Sequence, residues 1–550
     1  MTSATNQPTA PSRMRRSALL NTAIVAGGYL LSRVLGLARD VIISAQFGTH
    51  PAMDAYRATF NIIDLVYIVI AGGALGSAFI PIFAGYLEQQ REEDAWQLAS
   101  SLLNLAFVGL VAACAIIALL AHPIVALTVG AGFDEARREL TVQLLRFMLI
   151  QPILLGLGGL AKATLESFDR FTLPAIGSNL YNIGIIAGAL VAPLFGSYAI
   201  YSLAGGVIVG AALFLLVQLP GLRGVNMRYL PGQWFSAPGL RQVGRLLGPR
   251  LFGQAAWQIN LIAITSFASL LGTGAVAANG YALTLMLLPH GLLALSLGTV
   301  MFPQLTRLHA AGDHAGFRET ALSAARQVAF VTLPAAAIMA AAGPQIVRAL
   351  FERGAFTAQS TALTAEALVF YMLGLPAFAV AEIVVRSFYA MRDTRTPVLI
   401  GMGVVALNIA LGWTLLQLGG GLDGLALAFS LANITEATVL LLLLGKRMGG
   451  LGRAFWRPVA AMHAAALLCG AAVLALRLVS YNLLPYLAPG GRYRWPLDFV
   501  PLALWIGVAA VVGMAVYAGM AALLHLDELH VAVARFWRIT GRLLRRTKHE

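Results

Sequence analysis

Residues 32–40 read SRVLGLARD, and they lie in a stretch that is otherwise apolar from Leu19 to Phe47. A helix of about 20 apolar residues crosses the hydrocarbon core of a bilayer, so this stretch is long enough to span it. Arg33, Arg39 and Asp40 are then charged side chains within a membrane helix. Because a charge at mid-bilayer costs at least about 2.5–3.5 kcal/mol, we expect them to face a cavity or a polar partner.

The composition of the whole chain indicates a membrane protein. Of the 550 residues, 59% are hydrophobic and only 11% are charged, and the mean hydropathy is +0.78. Soluble domains carry roughly a quarter charged residues. Apolar runs of about 20 residues recur with short polar breaks, which predicts an all-α polytopic protein with about fourteen transmembrane helices. The predicted spans are 18–46, 58–85, 96–121, 140–166, 172–194, 199–220, 246–271, 277–304, 321–343, 363–390, 397–417, 421–445, 457–478 and 499–523.

The distribution of basic residues predicts the orientation. The net charge is +14, and if the spans alternate, most arginines fall in the N-terminus, the even-to-odd connections and the C-terminus. By the positive-inside rule, both termini are predicted to be cytoplasmic. No basic domain or aromatic-interleaved motif accompanies these charges, so we expect no nucleic-acid partner. The arginine-rich end of the chain is instead expected to meet anionic membrane lipids.

An internal repeat predicts the architecture. LGSAFIP (75–81) matches LGTVMFP (297–303) at a numbering shift of 222. At a shift of 223, VGAGF (129–133) falls on ERGAF (352–356) and FDRFTLP (168–174) on MRDTRTP (391–397). About six spans lie within one period, so the copies are predicted to be two six-helix lobes of equal orientation, followed by two extra helices. The predicted domains are a disordered cytoplasmic tail (1–17), an N-terminal lobe (18–220), a cytoplasmic amphipathic linker (221–245), a C-terminal lobe (246–445), two extra transmembrane helices (446–523) and a basic cytoplasmic amphipathic tail (524–550).

The repeat also identifies a candidate binding site. It places the first helix on LFGQAAWQINLIAIT (251–265), where Gln254 and Gln258 are polar but uncharged. Only the N-terminal lobe therefore carries cationic residues there, which favours an anionic ligand between two lobes that alternate their access. An ion pair that merely holds the first helix in place is the alternative.

Two other acidic residues are candidates for a proton or sodium site. Asp64 and Glu436 both lie within predicted spans, away from the ends where long side chains reach water. A third, Asp54, is predicted to cap the second helix.

No catalytic, metal or cofactor motif is present in the sequence. Cys114 and Cys469 lie in apolar helices, and there is no Walker loop, HExxH or GxSxG motif. No segment outside the spans is longer than about 25 residues, which is too short for an ATPase or transferase domain. We therefore expect a transporter driven by gradients and not an enzyme.

Four motifs carry a family resemblance: SRVLGLARD, GALGSAFIP (73–81), LFERGAFT (350–357) and RSFYAMRDTRTP (386–397). They resemble motifs of the MurJ (MviN) lipid II flippases of the multidrug/oligosaccharidyl-lipid/polysaccharide exporter superfamily. The resemblance implies a fourteen-helix flippase of the bacterial inner membrane that carries an undecaprenyl-diphosphate-linked peptidoglycan precursor outward. It further implies that Arg33 and Arg39 contact the diphosphate beside Asp40, and that the two extra helices form a groove for the lipid tail. We expect the protein to be a monomer.

The sequence departs from that family pattern in two helices. Tyr67, Ile68 and Gly72 stand where the family has paired arginines and an acidic residue before glycine. In YALTLMLLP (281–289), Leu283 and Thr284 stand where the family has an Asp-Arg pair. The cavity is thus expected to be less cationic than usual. This leaves open two other functions, an ion-coupled exporter of small molecules and a transport-inactive envelope scaffold.

Overall fold

The computed structural model describes residues 12–71, 74–232, 234–488 and 491–531. Within these ranges the chain is almost entirely helical and contains no strand, which confirms the predicted all-α class. The helices are α1 (Ser12–Phe47), α2 (Pro51–Ala71), α3 (Ala74–Glu88), α4 (Glu92–Leu119), α5 (Ala121–Leu127), α6 (Glu135–Met148), α7 (Ile150–Ser167), α8 (Thr172–Val191), α9 (Ala199–Leu216), α10 (Leu219–Arg223), α11 (Leu240–Leu270), α12 (Ala275–Pro289), α13 (Leu295–Ala310), α14 (His314–Ala341), α15 (Gly343–Phe351), α16 (Ala358–Ala390), α17 (Arg395–Gln417), α18 (Leu422–Arg447), α19 (Arg453–Ser480) and α20 (Phe499–Leu523).

Over the described residues, all fourteen predicted spans fall on helical segments. In the described part of the chain, ten helical stretches are long and apolar enough to cross a membrane, and one of them, Thr172–Arg223, holds two predicted spans. The other three predicted spans fall on α1, on α2 with α3, and on α11. The protein is therefore a polytopic membrane protein, as predicted.

Some predicted spans are not continuous α-helices. The span predicted at 140–166 is divided between α6 and α7 at Leu149, and the span at 277–304 contains a π-helical turn, His290–Ala294, after Pro289. Proline has no N–H to donate and its ring crowds the preceding turn, so the helix changes its hydrogen bonding there. The apolar pattern alone does not predict these breaks.

The structure confirms the internal repeat. A numbering shift of 222 places α4 on α14 from end to end. The preceding turns also match, because Gln90 and Gly312 both have positive φ, 59° and 71°. At a shift of 223, Asp169 and Arg392 likewise have φ values of 57° and 61°. Equivalent bonds close these turns, from Arg170 N to Leu165 O and from Asp393 N to Phe388 O, both at 3.0 Å. Each is a left-handed helix terminus.

The described chain forms two compact units. The first comprises the chain up to Phe47, Ala55–Gly130 and Asp134–Ile262. The second comprises Gly48–Asp54, Ala131–Phe133 and the chain from Ala263 onward. The division falls inside α11, so these units are not identical to the two copies of the repeat. The domain boundaries taken from the repeat remain predictions.

The segment between α10 and α11 is fixed to the first unit. Leu230 N donates to Ser100 Oγ at 2.9 Å, and Tyr229 Oη donates to Asn104 Oδ1 at 2.9 Å. Val243 is fully buried in the same core as residues of α3 and α4. Over these residues, the predicted linker therefore packs against α3 and α4 of the first unit.

In the second unit, α19 and α20 share a core with α14. Cys469 and Tyr517 are buried there, and Trp505 Nε1 donates to Ser480 Oγ at 2.8 Å. After α20, Glu528 is buried and its Oε1 lies 2.8 Å from Nε of Arg326. The arginines of the predicted basic tail lie outside the described residues, as do residues 1–11 of the predicted N-terminal tail, whereas residues 12–17 belong to α1.

Candidate functional site

Two charged residues of SRVLGLARD form an ion pair. Nε and Nη2 of Arg39 each lie 3.2 Å from Oδ1 of Asp40. The Asp40 side chain is only 4% exposed, whereas that of Arg39 is 27% exposed. The carboxylate is therefore enclosed by protein, whereas part of the Arg39 side chain stays accessible.

A residue of α8 contacts the same guanidinium. Nη1 of Arg39 donates to Oδ1 of Asn182 at 3.1 Å. Asn182 is buried, and its Nδ2 donates to Ser32 Oγ at 3.4 Å and to Ser178 O at 3.2 Å. Arg39 thus has polar partners inside the first unit, as expected for a charge in a membrane helix.

Asp64 of α2 belongs to the same polar cluster. Its carboxyl group interacts electrostatically with Arg39, and also with the hydroxyl groups of Tyr67 and Tyr181. Gln151 Nε2 of α7 donates to Tyr181 Oη at 3.4 Å. Four helices of the first unit therefore contribute polar groups around one arginine.

Sequence reasoning found only part of this cluster. It identified the charged residues Arg39, Asp40 and Asp64, because a charge within an apolar span is conspicuous. It missed the uncharged members Gln151, Tyr181 and Asn182. A neutral polar residue in a span gives no sign of the helix that it faces.

Arg33 differs from Arg39 in its surroundings. Its side chain is half-buried, and in the part of the chain that the structure describes it has no hydrogen bond or ion pair. It precedes Asp40 by seven residues, so the two lie on the same side of α1. Among the described residues, Arg33 is therefore a cation with its donors available to a ligand.

Gln254 and Gln258 lie on α11, within the first unit. Gln258 is buried, and its Nε2 donates to the main-chain oxygen of Asn61 on α2 at 2.9 Å. Gln254 is half-buried, and its Oε1 has no hydrogen-bond donor within the described ranges. Gln258 is thus used in helix packing, while Gln254 retains an acceptor.

Glu436 lies in the second unit, in a different group of charges from Asp64. It interacts electrostatically with Glu382 of α16, whose Oε1 lies 2.8 Å from Nη2 of Arg386. Arg386 in turn lies over Gly298, where a Cβ would approach its Nη1 to 2.5 Å. Of the two candidate ion-binding residues, Asp64 therefore belongs to a cluster of the first unit and Glu436 to a cluster of the second. In the described chain, no three His, Cys, Asp or Glu residues are grouped as a metal site would need.

An apolar groove runs between α14, α16 and α19 of the second unit. It consists of two cavities of about 630 and 840 Å³ that share five wall residues. The shared residues are Ala337, Ala340, Leu373, Ala466 and Leu467. The ionisable residues of the walls are His463 in the smaller cavity and Arg348, Glu366 and Arg477 in the larger one, besides Tyr481. Because α19 lies outside the repeat, the repeat itself does not supply this wall of the groove.

The helix α15, which leads into the LFERGAFT loop, is bonded to the connection between α19 and α20. Arg348 Nε lies 2.9 Å from Glu352 Oε2, and both residues are buried. Arg348 also donates to the main-chain oxygen of Tyr486, and Gln345 Nε2 donates to that of Leu487 at 3.2 Å. These bonds hold one end of the groove wall.

The prediction that Asp54 caps the second helix is wrong. Asp54 lies inside the first turn of α2, which begins at Pro51. Its Oδ2 accepts from Gly274 N at 2.6 Å and its Oδ1 from Ala277 N at 2.8 Å. The carboxylate therefore satisfies the N–H groups at the start of α12, which no carbonyl of that helix can reach.

The chain has the fold of a multi-helix membrane transporter. It has a TM-score of 0.75 with the structure titled lipid II flippase MurJ, inward closed conformation, at 24% identity over 92% of this chain and 99% of that one. It also has a TM-score of 0.67 with an inward-facing multidrug resistance MATE family transporter of the MOP superfamily, at 15% identity over 76% and 94% of the two chains.

The sequence comparisons identify the family. The family profile described as lipid II flippase MurJ matches residues 43–488. The lipid II flippase MurJ of Burkholderia cenocepacia is 31% identical over 503 residues, which cover 90% of this chain and 95% of that protein. A probable lipid II flippase MurJ of Rhizobium tropici is 30% identical over 498 residues, or 88% and 91% of the two chains. The chain belongs to the lipid II flippase MurJ family, which confirms the prediction made from its motifs.

Proposed function

We propose that this protein is a flippase of the bacterial cytoplasmic membrane with both termini in the cytoplasm. It moves lipid II, or a related undecaprenyl-diphosphate sugar, from the inner to the outer leaflet by alternating access. Membership of the MurJ family supports this activity. The observation that carries the choice of substrate is Arg39, a partly exposed arginine whose guanidinium is bonded to protein groups on two helices.

Arg39 retains hydrogen-bonding capacity for a phosphate. A guanidinium has five N–H groups. Nε donates to Asp40 and Nη1 to Asn182, and Nη2 lies 3.2 Å from Asp40 Oδ1, which leaves at least two N–H groups for a ligand. Arginine binds phosphate oxygens through paired N–H groups, and such charge-assisted bonds are stronger than neutral ones. Arg33 supplies a second cation on the same helix.

The groove beside α19 is suited to the lipid tail. A polyprenyl chain is entirely apolar, and moving it out of water into an apolar groove is favourable at about 25 cal/mol per Å² buried. Most wall residues of both cavities are alanines and larger aliphatic residues. The tail would lie in this groove.

Transport would draw on ion gradients or on the membrane potential. For an anion leaving an inside-negative cell, the potential supplies about 2.3 kcal/mol per charge per 100 mV. Asp64 and Glu436 are candidate coupling carboxylates, because each carries an ionisable group into a span. We expect the protein to act as a monomer, and its basic C-terminal tail to bind anionic lipids of the inner leaflet.

Complementation tests this proposal. A bacterium depleted of its own lipid II flippase would receive the wild-type chain, an Arg33→Ala/Arg39→Ala variant, or an Arg241→Ala/Arg245→Ala control that removes two exposed arginines elsewhere. We expect growth with the wild type and the control, and inner-leaflet accumulation of lipid II with the first variant. Growth with all three would indicate a scaffold, and growth with none would indicate another cargo.

A further inference from the structure

We propose that Asn182 is a positioning residue that holds the Arg39 guanidinium in the orientation that binds phosphate. This inference rests on the proposed function, because it takes Arg39 as a phosphate contact. It adds a residue of α8 that no motif of the sequence indicates.

The hydrogen bonds of Asn182 fix its amide group. Oδ1 accepts from Arg39 Nη1 at 3.1 Å, while Nδ2 donates to Ser178 O at 3.2 Å and to Ser32 Oγ at 3.4 Å. A flipped amide would direct its oxygen at the Ser178 carbonyl and its N–H groups at a guanidinium. Both contacts would be repulsive, so only one orientation fits, and it presents an acceptor to Arg39.

Asp40 alone cannot fix the guanidinium. It is the neighbouring residue on α1, and its Oδ1 accepts from Nε while Nη2 lies 3.2 Å from the same oxygen. That contact leaves rotation about the shared oxygen open. Asn182 holds the remaining nitrogen, Nη1, from another helix, and its bond to Ser32 ties it to α1 seven residues before Arg39. Two acceptors on two helices therefore define the guanidinium plane.

The repeat supports a joint role for Arg39 and Asn182. A numbering shift of 223 places Arg39 on Ile262 and Asn182 on Val405. Where the second copy lacks the arginine it also lacks the amide, and both positions hold β-branched apolar residues. If the asparagine only joined the two helices, an asparagine at the equivalent position would stabilise the second copy equally.

Loss of Asn182 should weaken phosphate binding and leave tail binding unchanged. A hydrogen bond to a charged group contributes about 1.5–3 kcal/mol, which corresponds to roughly ten- to hundredfold in affinity. Without Asn182, the Arg39 guanidinium would have to be ordered when the phosphate binds, and the cost of this ordering lowers the affinity for phosphate. If Asn182 had a purely structural role, its loss would not change the ratio of the affinity for a prenyl diphosphate to the affinity for the corresponding prenyl alcohol.

The test uses the full chain in lipid nanodiscs, with geranylgeranyl diphosphate and geranylgeraniol as probes. Binding would be measured for the wild type, Arg39→Ala, Asn182→Ala and Ser32→Ala, with Asn179→Ala as matched control. Asn179 is also a buried amide of α8, but its Nδ2 donates to Ala175 O. Thermal unfolding of each variant without ligand would be recorded in parallel.

We expect Asn182→Ala to lose about ten- to hundredfold in diphosphate affinity and to bind the alcohol like the wild type. Ser32→Ala, which keeps the asparagine but removes its contact with α1, should lose about two- to tenfold. Asn179→Ala should keep the wild-type ratio. Normal diphosphate binding by Asn182→Ala, together with weak binding by Arg39→Ala, would overturn the positioning role and leave the proposed function standing. Normal binding by Arg39→Ala would overturn both.

Discussion

Asp54 illustrates how the role of one residue depends on a helix far away in the sequence. Its carboxylate is fully buried and accepts from two main-chain N–H groups at the start of α12. A negative charge at a helix N-terminus is favourable, and the two N–H groups have no other acceptor within their own helix. Because the carboxylate is buried, this interaction should stabilise the fold more than an exposed helix cap does.

Asp54→Ala is therefore expected to lower the free energy of unfolding by about 2–3 kcal/mol. Asp134→Ala is the matched control, because Asp134 accepts from Arg137 N at 2.9 Å but its side chain is 56% exposed. The control should lose clearly less stability, since water replaces the lost acceptor. Thermal unfolding in one detergent would compare the two variants. Equal losses would contradict the importance of burial at Asp54.

At the scale of helices, the sequence predicts where the helices lie better than where they are interrupted. A span is a local property, because about 20 apolar residues are needed wherever a helix crosses the bilayer. The repeat is visible in the sequence as well, through motifs such as LGSAFIP and LGTVMFP. The π-helical turn after Pro289 and the pairing of Asn182 with Arg39 depend on neighbouring helices, so no pattern within one segment predicts them. The groove for the lipid tail was expected only from the resemblance to a known family.

The turn between α16 and α17 is fixed by charges outside the spans. Oδ2 of Asp393 lies 2.7 Å from Nη2 of Arg447 and accepts from Thr396 Oγ1 at 2.6 Å. Burial by itself raises the pKa of Asp393, but the hydrogen bonds from Thr396 and the Arg447 charge outweigh it and lower the pKa to about 2. The bonds join the start of α17 to the end of α18.

This pair should make stability depend on pH. The pKa of the carboxyl is 3.8 without these interactions and about 2 with them, so the folded state binds the proton less readily. The stabilisation is then complete above about pH 4 and disappears as the pH falls toward 2. Because Arg447 is 43% exposed, we expect about 1–2 kcal/mol. Unfolding of the wild type and Asp393→Asn should differ at pH 6 and converge near pH 2. A constant difference over this range would contradict the assignment.

At the scale of the whole molecule, the two compact units carry different chemistry. The first unit holds Arg33, Arg39 and Asp64, whereas the groove lies in the second unit and depends on α19, a helix added after the repeat. A lipid with a charged head and a long apolar tail has the same division. The charges of the first unit suit the head of such a lipid, and the apolar groove of the second unit suits its tail.

If the groove holds the tail, blocking it should affect long lipids selectively. Ala340 of α14 lines both cavities, and Ala340→Phe would place a ring where they join. Ala335→Phe is the matched control on the same helix, at a position that lines neither cavity. In proteoliposomes with fluorescent lipid II analogues, Ala340→Phe should slow flipping of an undecaprenyl analogue about tenfold or more, since the buried apolar area is lost. A farnesyl analogue, whose tail is too short to need the whole groove, should flip at nearly the wild-type rate. Equal slowing of both analogues would show that the substitution damages the fold, and no slowing of either would place the tail elsewhere.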